Sequence, residues 1–123
     1  MPHKILVVDD DKINVTLVKF GFAEQNYEVV VAYDGDEGLK VLEKEKPDLV
    51  VLDIQMPHMN GYEFVGELKN KPGFEKTPVI MLTASENMED IFRVEGIKAY
   101  FVKPVNLTGL INKVKECLGP NPS

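Results

Sequence analysis

Cysteine is nearly absent from this 123-residue chain. Cys117 stands alone, so no internal disulfide can form, and a reducing cytoplasm is the expected setting. Its neighbours Lys115, Glu116 and Leu118 read as helix, which makes the thiol structural filler. No apolar run approaches the roughly 20 residues a membrane helix needs. The apolar stretch after Met1-Pro2-His3-Lys4 is too short for a signal-peptide core. An excess of basic residues is missing as well: the net charge of −6 argues against direct nucleic-acid binding by this domain. There is no internal repeat, low-complexity tract or long linker. After the first apolar strand there is neither a Gly-x-Gly-x-x-Gly loop nor a Walker lysine loop, which excludes those nucleotide sites. A flavin site would call for a hydroxyl-rich phosphate loop at that place, where this chain has a run of aspartates.

What is present is alternation, in a composition (44% hydrophobic, 28% charged) ordinary for one globular domain. Residues 1–123 read as a single domain, with 119–123 a tail or the start of a linker. Lys4 to Val8, Glu28 to Ala32, Leu49 to Leu52, Pro78 to Leu82 and Ala99 to Val102 are short β-branched or apolar runs, the pattern of strands. Leu49 to Leu52 is apolar at every position, so both faces of that strand should be covered. Between them lie helical patterns. Ile13 to Gln25 carries Val15, Val18 and Phe22, with Leu17 and Phe20 beside them. Gly35 to Glu45 turns Leu39 and Leu42 inward, and Gly61 to Asn70 carries Tyr62, Val65 and Leu68. Asn87 to Glu95 uses Met88, Ile91 and Phe92. The last helix begins near Asn106, a good N-cap, and stops at Gly119-Pro120. Five strands alternating with five helices predict an α/β fold, a parallel sheet wrapped on both faces.

In such sheets ligands bind beyond the carboxyl ends of the strands. Asp9, Asp10 and Asp11 follow the first strand, Asp53 the third, Thr83 and Ser85 the fourth, and Lys103 the fifth. Two carboxylates about 4 Å apart repel by about 4 kcal/mol at an effective dielectric of 20. A domain that gathers Asp9, Asp10 and Asp53 therefore needs a cation or a raised pKa. Hard oxygen ligands with open positions suit Mg²⁺, which also bridges readily to phosphate. The metal, Lys103 and Thr83 could each hold one equatorial oxygen of a transferring phosphoryl group.

The stretches Ile5-Leu6-Val7-Val8-Asp9-Asp10-Asp11, Leu52-Asp53 through Asn60-Gly61, Leu82-Thr83-Ala84 and Tyr100-Phe101-Val102-Lys103-Pro104 resemble the receiver domain of two-component response regulators. The likeness spans nearly the whole chain. It implies a doubly wound, flavodoxin-like sheet of strand order 2-1-3-4-5. It also implies Asp53 as phosphoacceptor, Asp10 as direct Mg²⁺ ligand, Asp9 acting through water, and the backbone carbonyl of Gln55 as a further ligand. Thr83 and Lys103 would bind phosphoryl oxygens. Thr83 and Tyr100 would form the switch, and Gln55 and Ser85 would tune hydrolysis. The donor would be a sensor histidine kinase or a histidine phosphotransfer protein. The output would pass through the fourth helix, fifth strand and fifth helix to a further protein or domain, from a monomer or a weak phosphorylation-dependent dimer. The chain would be a phosphoacceptor that assists its own phosphorylation and dephosphorylation, and not an enzyme.

Asp11 matches no required position and reads as a helix N-terminal charge. His58 reads as exposed loop, and Gly61 is expected to shape its loop by taking a positive φ. Two departures from the family pattern stand out. Asn60 replaces a common acid, and Glu95 and Ile97 replace small residues beside Gly96. The interval from Thr83 to Gly96 is about two residues short, about half a turn of helix. A phosphatase of the haloacid-dehalogenase type would want an acid two residues after the nucleophile, where Gln55 stands. An unphosphorylated docking module would be expected to lack one or more of these pocket residues, and none is missing.

Overall fold

The computed structural model describes residues 2–84 and 97–119. The chain runs β1 (Lys4–Val8), α1 (Lys12–Glu24), β2 (Glu28–Ala32), α2 (Gly35–Glu45), β3 (Leu49–Asp53), α3 (Gly61–Lys69), β4 (Val79–Thr83), β5 (Ile97–Val102) and α4 (Leu107–Leu118). All strand pairings are parallel, in the order β2-β1-β3-β4-β5. Among the described residues there are four helices. The expected helix from Asn87 to Glu95 lies outside them, as do its shortening, Ser85 and residues 120–123. The helix expected fifth is therefore α4 here.

The sheet divides the core in two because side chains alternate along each strand. Leu6, Val8, Val50, Leu52, Val79 and Met81 pack with Leu42, Phe64 and Leu68 of α2 and α3. Ile5, Val7, Leu49, Val51, Ile80 and Leu82 pack with Val18, Phe22, Leu110 and Val114 of α1 and α4. Strands β1, β3 and β4 are apolar and buried on both faces, each such side chain contributing about 1.5–3 kcal/mol.

Side-chain caps fix where the helices start. Asp11 caps α1 by accepting from the Ile13 and Asn14 amides, at 3.1 and 3.2 Å. Asn60 and Glu63 form a reciprocal capping box on α3, so the asparagine in place of an acid serves the helix start. One apolar stripe departs from the expected packing. Val15, Val18 and Phe22 of α1 are buried, whereas Ile13, Leu17 and Phe20 face outward, 84%, 45% and 54% exposed.

Gly61 also differs from expectation. Its backbone does not take a positive φ; His58 does, at 69° in an exposed loop position. Glycine is required because a Cβ there would stand 2.9 Å from the Ile54 Cα and 3.1 Å from the Asp53 carbonyl oxygen. The Gly61 amide donates to the Ile54 carbonyl at 2.8 Å, folding the loop tightly under the end of β3. Gly61→Ala should therefore cost about 1–3 kcal/mol by overpacking backbone against backbone. Gly66→Ala, on the same helix with open space around it, should gain about 0.5–1 kcal/mol. Urea unfolding midpoints of the two variants check the contrast.

Candidate functional site

Parallel pairing in register brings the carboxyl ends of β1, β3, β4 and β5 level with one another. Val8 pairs with Leu52, Asp53 with Leu82, and Thr83 with Val102, so the residues after these positions share one rim. Asp9 is fully buried there, Asp53 is 4% exposed and Thr83 2%, while Asp10 faces solvent. The parity of the strands sorts them further. Asp9, Asp53 and Lys103 are in step with Val7, Val51 and Phe101, which belong to the α1/α4 side. Thr83 is in step with Met81, and Met81 pairs in register with Tyr100, on the α2/α3 side.

Asp9, Asp10 and Asp53 each offer a carboxylate oxygen within 4.8 Å of the others. Lys103 reaches between two of them. Its Nζ lies 3.0 Å from Asp9 Oδ2 and 3.5 Å from Asp53 Oδ2. The Lys103 amide donates to the Thr83 carbonyl at 2.7 Å, anchoring the ammonium's stem to the end of β4, and the peptide bond to Pro104 is cis. Asp53 Oδ1 accepts from the Gln55 amide at 3.3 Å, and the Gln55 side chain is exposed. Asp9 is the better supported of the two. It accepts from the Asp11 amide at 2.9 Å and from the Asn14 side chain at 2.7 Å.

Electrostatics follow from this unequal support. Burial pushes the Asp53 carboxyl from 3.8 up to about 7, the Asp9 charge adds to the rise, and Lys103 opposes it. Burial pulls Lys103 down, but its hydrogen bond to Asp9 and the charges of Asp53 and Asp9 outweigh that and leave it above its ordinary value. Three oxygen donors around a partly open position, one of them raised by burial and by the Asp9 charge, fit a small hard cation such as Mg²⁺. Tyr100 is half-buried against the α2/α3 cluster with its hydroxyl oxygen shut off from solvent. Burial, with Tyr62 nearby, pushes that hydroxyl up to about 12.

Every expected site residue except Ser85 falls within the described residues. The structure brings Asp9, Asp10, Asp53 and Lys103 together and sets Thr83 and Gln55 at the same rim. The sequence reading passed over Asn14. Its signal was a polar residue on the buried stripe Asn14, Val18, Phe22, where an apolar one would be expected.

A doubly wound parallel sheet with an acidic rim at its carboxyl end is the architecture of a receiver domain, and comparison with known proteins shows that family. The family model for the response regulator receiver domain matches residues 5–115, and the chain belongs to that family. The alkaline phosphatase synthesis transcriptional regulatory protein PhoP of Bacillus subtilis (strain 168) is 38% identical over 120 residues, which cover 96% of this chain. The chain spans about half of that relative, 49% of its length. The chemotaxis response regulator CheY4 of Vibrio cholerae superposes with a TM-score of 0.88 at 31% identity, covering 96% of this chain and 100% of that one. A CheY-like response regulator receiver domain protein from Methanospirillum hungatei JF-1 gives 0.85 at 33% identity, covering 94% and 93% of the two chains.

A raised carboxyl ties stability to pH with a definite sign. The folded state holds the Asp53 proton more tightly than the unfolded chain. Its contribution is full below the unfolded value of 3.8 and is lost as pH rises through about 7. In EDTA, Asp53→Asn should flatten this loss and raise the Tm at about pH 8, ~1 kcal/mol corresponding to about 4 °C. Calorimetry across the pH range checks it; identical profiles for variant and wild type would remove Asp53 as the cause.

Proposed function

We propose that the chain is a magnesium-dependent phosphoacceptor switch, in which Asp53 takes a phosphoryl group from a phosphohistidine on a sensor kinase or histidine phosphotransfer protein. The observation that carries this reading is the buried Asp53 carboxyl, clustered with Asp9 and Asp10 and beside Lys103 at the mouth of the sheet. In the transfer an Asp53 oxygen bonds to phosphorus as the P–N bond to the donor imidazole breaks. The imidazole leaves with that electron pair and takes up a proton. Asp53 is thus a reactant, and the chain assists its own phosphorylation and hydrolysis without turning over a separate substrate.

Asp10, Asp53 and the backbone carbonyl of Gln55 would hold Mg²⁺, with Asp9 acting through water. Bound there, the ion neutralises charge on the acceptor and on the phosphoryl oxygens. Lys103 favours the ionised, nucleophilic form of Asp53 and stands ready to pair with a phosphoryl oxygen. Thr83 would hydrogen-bond another, and Tyr100, on the same side of the sheet, would fill the space behind it. Gln55 and Ser85 would set the rate at which water attacks the acyl phosphate. The readout would leave through the segment after Ser85, β5 and α4, toward an output protein or domain.

A protein donor is supported by the outward stripe Ile13, Leu17 and Phe20, which begins within a few residues of Asp9 and Asp10. Apolar surface beside a polar site suits a macromolecular partner better than a small phosphate donor. Among the described residues no helix is long and apolar enough to cross a membrane. The single cysteine suits a reducing cytoplasm.

Incubation with acetyl phosphate and Mg²⁺ should add one phosphoryl group to the wild-type mass. It should add none to Asp53→Asn, and none in EDTA; full labelling of Asp53→Asn would sink the assignment. Ile13→Asp should leave labelling by acetyl phosphate unchanged and slow transfer from a phosphohistidine protein about tenfold, as loss of a central apolar contact does. Equal slowing with both donors would place the effect in the pocket and not in docking.

A further inference from the structure

The geometry points to Asn14 as a positioning residue that fixes the Asp9 carboxylate, so that Lys103 is free to serve Asp53 and the metal pocket keeps its shape. The inference rests on the phosphoacceptor reading and adds to it a side chain that touches neither phosphorus nor metal. Asn14 sits in the first turn of α1, 7% exposed, and its Nδ2 donates to Asp9 Oδ2 at 2.7 Å with both side chains buried. Asp9 has no solvent to satisfy it, being fully buried. Among the described residues its donors include Asn14 on Oδ2, the Asp11 amide on Oδ1 at 2.9 Å, and Lys103 at 3.0 and 3.2 Å from the two oxygens.

Consider Asp9 without Asn14. Oδ2 would depend on Lys103 alone, and a buried carboxylate oxygen short of donors is costly. Lys103 would then be held on Asp9, away from Asp53, where it already stands farther off, at 3.5 Å against 3.0 Å. The carboxylate could also turn about its χ2 torsion, which is soft. The neutral amide supplies a donor without adding a second cation that would compete with a metal ion. The Asp11 carboxylate, by capping α1, places the Asn14 backbone while the Asp11 amide grips the other Asp9 oxygen, so the two ends of Asp9 are set by one helix start. Residues that orient metal ligands without touching the metal typically govern affinity by 10–100-fold.

The test titrates Mg²⁺ into the full chain by calorimetry at about pH 8, where Asp53 is ionised. The variants are Asn14→Leu, which keeps the branched shape, and Asn14→Ala, which removes the donor without added bulk; either suffices, provided its amide spectrum is that of a folded protein. Asn14→Gln, retaining the amide, is the conservative variant. Val18→Ala is the control: it loosens the same buried stripe of α1 without contact to Asp9. Mg²⁺ affinity should fall about tenfold in Asn14→Leu or Asn14→Ala, recover at least partly in Asn14→Gln, and hold in Val18→Ala. Wild-type affinity in the Leu and Ala variants, or an equal fall in Val18→Ala, overturns the inference while leaving Asp53 as acceptor. Full labelling of Asp53→Asn by acetyl phosphate overturns the acceptor reading, and this one with it.

Discussion

Two buried carboxylates, Asp9 and Asp53, share the ammonium of Lys103, and the arrangement of the rim depends on how that sharing is divided. Like charges about 4 Å apart cost about 4 kcal/mol at an effective dielectric of 20, so the pair cannot both ionise without support. Support is given unequally. Asp9 receives the nearer end of Lys103, a side-chain amide and a backbone amide. Asp53 receives the farther end and a single long backbone hydrogen bond. Burial first, and then the Asp9 charge, therefore fall on Asp53, whose carboxyl rises to about 7. Placing the deficit on one group, and not spreading it over the cluster, leaves that group poised to gain from a cation or from esterification.

The fold delivers this imbalance through ordinary devices. Parallel strands ending level give a shared rim, and the apolar cover on both faces keeps its floor dry. The Asp9 amide continues the ladder by donating to the Ala32 carbonyl at 3.1 Å, so Asp9 is held as firmly as a strand residue. Asp53 closes β3, but the chain beyond it turns at once under Gly61, whose missing Cβ lets α3 begin against the Ile54 backbone. Lys103 crosses from β5 on a backbone tied to Thr83. Asp9, Asp53, Thr83 and Lys103 therefore stand at the ends of four different strands.

Much of this was legible in the sequence because parallel strands announce themselves. Runs such as Leu49 to Leu52 are apolar throughout, and the polar residue that ends each run is, by the geometry of the sheet, a rim residue. Asp9, Asp53, Thr83 and Lys103 could be picked out that way, and the family likeness supplied the strand order that makes β1, β3, β4 and β5 neighbours. Three things could not be read so. Leu17 and Phe20 are apolar like Val18 and Phe22, and residue type alone does not say which of two adjacent apolar stripes on α1 meets the sheet. Gly61 was expected to serve a turn, whereas a close approach between segments, visible only in three dimensions, requires it. Asn14 acts through Asp9, five residues away, across the bend from strand to helix.

The parity of the strands bears on how a charge at Asp53 could reach a distant surface. Asp9, Asp53 and Lys103 stand in step on the α1/α4 side, where the packing is closed by Val18, Phe22 and Leu110. That side is well tied and has little room to respond. Thr83 and Tyr100 stand in step on the opposite side, against the cluster of Met56, Phe64 and Met81. A phosphoryl group would bring roughly −1.5 to −2 charges to a rim that already gathers three carboxyl groups, and hydrogen-bond donors would be drawn toward it. Thr83 can answer by turning its side chain, since its backbone is already pinned to Lys103 through a 2.7 Å hydrogen bond. The response then appears on the α2/α3 side, where Tyr100 packs half-buried with its hydroxyl already inside. If Thr83 were drawn toward such a charge, an aromatic already packed in this way would need little further burial to occupy the space given up.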